Sequence, residues 1–139
     1  MDQIVLDTNV IVKLFLEEEG SDTAVKIKDA HIEGKVEVMV PSLMKYELVN
    51  VLKYKNFEKE EIKEAIEAVR DYAFSVVDVN DFVVNKIVDF SVDYNISAYD
   101  ATYVAFAYHI GALFYTADDK MLLKVKKLNF VRPLSHFSV

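Results

Sequence analysis

At 139 residues with 53% apolar and 28% charged side chains, the chain has the size of one compact domain and too much apolar content for disorder. The absence of cysteine excludes disulfides, thiol chemistry and Cys-based zinc sites, and the net charge of −7 argues against nonspecific nucleic-acid binding through a globally basic surface. No stretch approaches the roughly 20 apolar residues of a membrane span, and residues 1–7 lack a basic segment followed by a long apolar run, so one cytoplasmic domain over residues 1–139 is expected.

Residues 3–6 form a short β-rich run that ends at Asp7-Thr8-Asn9, three helix-capping residue types, before a periodic segment at 10–19. Gly20-Ser21-Asp22 breaks that helix and caps another over 23–33, closed by Gly34. A strand at 36–40 follows, and Pro41-Ser42 opens a helix over 43–55. A helix over 58–73, a strand within 74–79, and helices over 81–94 and 98–109 come next. Gly111 ends the last of these, a strand occupies 112–116, a helix 118–127 and a short strand 130–131, with an irregular tail beyond. Strands alternating with helices point to a three-layer α/β domain with a mainly parallel sheet, in which ligands gather at the carboxyl ends of the strands. Asp7 directly follows the first strand and Asp118 follows the strand at 112–116 by two residues, so both project toward one edge.

The acids at that edge each have a structural reading beside the functional one. Asp7 could cap the helix that follows, although Thr8 and Asn9 could serve equally, which leaves Asp7 free to be a ligand. Glu47 is the most informative, because its helical neighbours Leu43, Val51 and Tyr54 should face the core. A carboxylate there must be paired, protonated, metal-bound or threaded to solvent. Asp100, in Ser97-Ala98-Tyr99-Asp100, matches a capping box, yet the helix it opens is apolar enough to be buried, so its first turn points inward or into a pocket. Asp118 is another cap candidate, with Asp119 as its competitor for either role. Jointly, Asp7, Glu47, Asp100 and Asp118 are read as one pocket for a hard, oxygen-loving divalent cation, which offsets the repulsion of clustered carboxylates and leaves room for a phosphate. His31, His109 and His136 show no metal-ligand spacing.

Val5-Leu6-Asp7-Thr8-Asn9-Val10, Pro41 through Glu47, Tyr99-Asp100-Ala101-Thr102-Tyr103 and Thr116-Ala117-Asp118-Asp119-Lys120 together resemble the PIN-domain family, and within it the VapC-type toxins. The resemblance spans nearly the whole chain, in order. It implies a parallel sheet of four or five strands flanked by helices and Mg²⁺- or Mn²⁺-dependent endoribonuclease activity, in which phosphodiester hydrolysis proceeds by in-line attack of water. It also implies that Asp7, Glu47, Asp100 and Asp118 are the acidic metal ligands, that Asp119 is an alternative fourth, and that Asn9 and Thr116 orient ligands or substrate. A VapC-like protein is also expected to be a homodimer neutralised by a cognate VapB-type antitoxin. The positive mean hydropathy agrees with a partner covering apolar surface, or with a dense core.

An RNA substrate must be squared with the acidic chain. Lys120, Lys124, Lys126, Lys127 and Arg132 follow Asp118 and could contact phosphates, a solvated basic helix face being the more ordinary reading; Lys13 carries the same two readings. Tyr46, Tyr99 and Tyr103 could stack on unpaired bases, with packing the favoured role. Two rival functions stand beside the nuclease. One is a catalytically idle PIN-like module acting through dimerisation and partner binding. The other is a phosphotransfer receiver, which fits poorly because Glu47 lies inside a helix.

Overall fold

The computed structural model describes residues 2–139; Met1, the first residue of the expected domain, lies outside them. Strand order places the candidate site. The strands are β1 (Asp2–Leu6), β2 (Val36–Pro41), β3 (Ser75–Val77), β4 (Leu113–Thr116) and β5 (Val131–Pro133). All neighbours pair in parallel in the order β3-β2-β1-β4-β5. The chain therefore builds outward from β1 to one side, then returns to place β4 on the other. Strand order reverses between β1 and β4, which is where an open parallel sheet leaves a crevice at its carboxyl end.

The helices are α1 (Thr8–Val12), α2 (Ser21–Ile32), α3 (Leu43–Tyr54), α4 (Lys59–Tyr72), α5 (Asp81–Tyr94), α6 (Ala98–Ile110) and α7 (Asp119–Lys124), with a 3-10 turn at Leu134–His136. They flank the sheet as the expected three-layer architecture requires. Val5, Val38, Val40 and Phe114 from the strands and Ile11, Ile27, Leu48 and Leu52 from the helices are fully buried in one continuous core. Burying each such side chain contributes about 1.5–3 kcal/mol. The deepest helix is α6, whose residues Ala101 to Ala107 are all buried. It packs against β1, β2 and β4, with α5 laid over it, and Tyr103 stacks on Phe114 with ring centroids 5.8 Å apart. Its small residues, Ala101, Ala105 and Ala107, allow that close approach on every side. Gly111, at φ +71°, closes it in the left-handed conformation that favours glycine.

Two elements are shorter than periodicity suggests. The segment expected as a helix over 10–19 ends at Val12, and the amides of Lys13, Leu14 and Phe15 tighten to bonds three residues back. Side chains then fix the turns. Ser21 Oγ donates to the Leu16 carbonyl (2.6 Å) and accepts from the Glu18 amide (3.1 Å), and Lys13 Nζ donates to the Glu19 carbonyl (2.6 Å). Leu14, Phe15 and Leu16 still pack on the core, which is why the apolar pattern resembled a longer helix. Likewise α7 stops at Lys124 rather than near 127, and the turn that follows buries Val125. The last strand extends over Val131–Pro133 rather than 130–131, and the tail beyond it forms the 3-10 turn.

Candidate functional site

Asp7 stands at the reversal of strand order. Its amide continues the β1–β4 ladder by donating to the Tyr115 carbonyl (3.2 Å), so its side chain leaves the sheet beside Thr116 at the end of β4. The Thr116 hydroxyl donates to Asp7 Oδ2 (2.7 Å), and the Asn9 amide donates to Oδ1 (3.0 Å). Asp7 thus caps α1 and still has an unused lone pair on each carboxylate oxygen. It is only 6% exposed. Burial is the main cause that pushes its carboxyl up from 3.8 to about 6; the charges of Asp100 and Glu47 push the same way, against the two hydrogen bonds.

Glu47 is held from two other elements. The buried stripe of α3 is Met44, Leu48 and Leu52, while Tyr54 points to solvent, so Glu47 emerges at the border of the core rather than inside it. Its Oε1 accepts the Tyr103 hydroxyl (2.6 Å) and the Thr8 hydroxyl (3.0 Å), and those two hydroxyls also touch each other (2.5 Å). Burial first, and then Glu47, pushes the Tyr103 phenol far above its usual range, so it remains a donor. Thr8 and Tyr103 are the residues sequence reasoning missed in this role: Thr8 was weighed as a cap and Tyr103 as packing or stacking. A signal existed for Tyr103, which lies three residues after Asp100 and shares its helix face.

Asp100 lies in the first turn of α6, where the helix dipole favours negative charge. The Ser97 hydroxyl accepts its amide (3.0 Å). Burial raises the Asp100 carboxyl, the charges of Asp118 and Glu47 raise it further, and Ser97 and Lys124 oppose them. Asp118 is the N-cap of α7: its Oδ1 accepts the Met121 amide (3.0 Å), and its own amide donates to Thr116 Oγ1 (3.1 Å). Thr116 therefore joins Asp7 to Asp118 through one hydroxyl. Asp119 is exposed and lines a neighbouring cleft with Lys13, Thr23, Leu134 and Ser135. Asn9 reaches Asp7 only through its backbone, and its side chain is exposed.

The surrounding residues divide. Lys13 is drawn into its own loop by Glu18 (3.2 Å) and the Glu19 carbonyl. Lys124 Nζ donates to the Asn95 carbonyl (2.9 Å), which brings one cation near Asp100. Lys120, Lys126 and Lys127 are solvent-exposed, and Arg132 donates to the Asn129 carbonyl (2.6 Å). Tyr103 is buried, but Tyr46 and Tyr99 are 74% and 63% exposed, which overturns packing as their role.

The donor set fits a hard divalent cation in its chemistry. It is made of carboxylate oxygens alone, and among the described residues none of the four acids is in an ion pair with Lys, Arg or His. Asp7 carries a buried carboxylate facing two others, a cost that a dication offsets. In distance the fit is looser: among the described residues no three acidic or histidine side chains stand close enough together to grip one ion as they are.

Fold and site define an α/β domain that gathers carboxylates at the reversal point of a five-stranded parallel sheet. The family model of the PIN domain matches residues 4–128, and the chain belongs to the PIN-domain family. Comparison with curated protein sequences gives no match. Among solved structures, the chain is similar to a toxin–antitoxin complex from Klebsiella pneumoniae at 14% identity and a TM-score of 0.71, covering 98% of this chain and 99% of that one. It is similar to VapBC2 from Rickettsia felis, bound to a promoter DNA fragment, at 14% identity and a TM-score of 0.71, covering 94% and 96%. It is also similar to PAE2754 from Pyrobaculum aerophilum at 17% identity and a TM-score of 0.71, covering 96% and 85%.

Proposed function

We propose that this chain is a metal-dependent endoribonuclease, the toxin of a VapBC-type toxin–antitoxin pair, with Asp7, Glu47, Asp100 and Asp118 holding Mg²⁺ or Mn²⁺. The observation that carries the reading is Asp7: a buried carboxylate, oriented by two hydrogen bonds, raised to about 6 and facing further acids at the crevice of the sheet. Family membership supplies nuclease chemistry as the class of reaction. When bound, a divalent ion neutralises charge on the scissile phosphate and activates water for in-line attack.

The protein's own part is positioning. Thr116 fixes Asp7 and the start of α7 together, so the acids from β1 and β4 keep one spacing. Tyr103 and Thr8 both donate to Oε1 of Glu47, which fixes the carboxylate and leaves Oε2 for the ligand. Asp100 enters from the buried helix α6, whose packing on the sheet limits its movement. The exposed Lys120, Lys126 and Lys127, with Lys124 beside Asp100, meet the phosphates flanking the cut, giving local cationic contact in an acidic protein.

Partners follow from surface that one chain leaves uncovered. Val84, Val88 and Val92 form an exposed stripe along α5, suited to a homodimer contact. The cleft that Lys45, Ile66, Arg70 and Val76 line above the buried Met44 and Leu48 is suited to a segment of an antitoxin that carries both apolar and acidic side chains. The toxin–antitoxin assemblies among the structural neighbours support that assignment.

Cleavage-site mapping on total RNA tests the function. Wild-type protein with Mn²⁺ should cut at defined sites, while EDTA or Asp100→Asn should stop cutting without unfolding the chain. Cleavage undiminished by EDTA would falsify the reading. A folded dimer that neither cuts RNA nor gains stability from metal would instead favour the idle partner-binding module.

A further inference from the structure

We propose that the cleft between α3 and the start of α6 is a nucleobase subsite, in which Tyr46 and Tyr99 hold an unpaired base of the RNA strand beside Glu47. The proposal rests on the ribonuclease reading of the adjoining acids.

Tyr46 immediately precedes Glu47, and Tyr99 immediately precedes Asp100. A step of one residue turns a helix by about 100°, so each acid that points inward is accompanied by a ring that points outward at the same level. Both rings line one cleft of about 420 Å³ with Leu43, Glu47, Val49 and Asn50. That volume lies within the roughly 300–1,000 Å³ of small-ligand sites. Leu43, Glu47 and Asn50 are spaced i, i+4, i+7 along α3 and form its wall, so an apolar floor, a candidate metal ligand and an exposed amide share one face. Tyrosines at 74% and 63% exposure leave their apolar ring faces in water, and neither has a ring partner among the described residues.

The chemistry of the cleft favours a base. Stacking on an aromatic face does not depend on phosphate charge, so in a chain with net charge −7 it adds affinity beyond what a local lysine cluster supplies. The Asn50 amide offers both a donor and an acceptor to a base edge. Bases in a duplex are not free to stack there, so the subsite selects single-stranded or looped RNA.

The test uses the full chain with Tyr46→Ala, Tyr99→Ala and the corresponding Phe variants. A labelled single-stranded oligoribonucleotide is followed by fluorescence anisotropy, KM and kcat are measured with Mn²⁺, and oligomeric mass is measured by sedimentation. Each Ala variant should weaken binding and raise KM by roughly 5- to 150-fold, with kcat little changed, unchanged mass, and affinity restored by Phe. Unchanged binding and KM in the Ala variants, with cleavage intact, overturns the subsite and leaves the nuclease. Loss of binding that tracks a fall in oligomeric mass also overturns it and assigns the cleft to a second copy. Ring-dependent binding in a protein that cuts no RNA supports the subsite and removes the nuclease reading.

Discussion

Asp7 and Asp118 each follow a strand and each cap a helix, yet they are built to different standards. Asp7 is buried at the reversal of strand order, with both carboxylate oxygens hydrogen-bonded and its proton affinity raised to about 6. Asp118 is half-buried, spends one oxygen on the Met121 amide, and stands on a helix of 6 residues. The β1 side of the crevice is thus fixed by the core and electrostatically costly, while the β4–α7 side is stabilised by its cap. Sites that hold charge for a ligand are expected to show the first pattern, because the protein leaves the opposite charge for the ligand to supply.

The largest expected effect comes from removing the costly charge. In the folded chain Asp7 binds its proton more tightly than in the unfolded chain, so between pH 3.8 and about 6 stability falls as pH rises, and the full loss is present above 6. A shift of this size corresponds to about 3 kcal/mol as an upper figure. In EDTA, Asp7→Asn should therefore melt several degrees above wild type at pH 7 and converge with it near pH 4, while losing all metal-dependent cleavage. Thermal melts across that range check the sign. A variant less stable than wild type at pH 7 would mean that Asp7 is a structural cap first.

A smaller effect separates orientation from charge. Tyr103→Phe removes the 2.6 Å bond to Glu47 and the contact with Thr8 while keeping the stack on Phe114. Stability should fall by about 1 kcal/mol. Metal affinity should fall by roughly 10- to 100-fold, the usual cost of removing a ligand's supporting partner. Equal Mn²⁺ affinity in both proteins would show that Glu47 needs no such support.

The smallest effects distinguish the two adjacent acids. Asparagine caps helices about as well as aspartate, so Asp118→Asn should leave stability within about 0.5 kcal/mol of wild type. It should still weaken Mn²⁺ binding, because the Asp118 charge bears on Asp100. Asp119→Asn should leave both unchanged, since that side chain is exposed on the neighbouring cleft. Parallel titrations of the two variants decide between them.

The fold was largely legible because strand runs, caps and breakers agreed along the chain. The segment 10–19 reads as a helix because Leu14, Phe15 and Leu16 reach the core, but they do so from turns tied by Ser21 and Lys13, an arrangement that periodicity cannot distinguish from a helix. At the site, the acids stood out by position, Asp7 and Asp118 after strands and Asp100 at the head of an apolar helix. Their supports did not. The Thr116 hydroxyl bonds a residue 109 positions away, and Tyr103 reaches Glu47 across 56. Glu47 was expected among residues facing the core, but Tyr54 is exposed and the buried stripe of α3 runs through Met44, Leu48 and Leu52 instead. For Tyr46 and Tyr99 the sequence favours packing over stacking; only the assembled surface shows them exposed beside Glu47.

The most direct measurement is calorimetric titration of Mn²⁺ into metal-stripped wild type and Asp100→Asn at pH 7, with circular dichroism to establish that both are folded. The account predicts saturable binding to wild type and its loss in Asp100→Asn. Indistinguishable isotherms for the two proteins would contradict it.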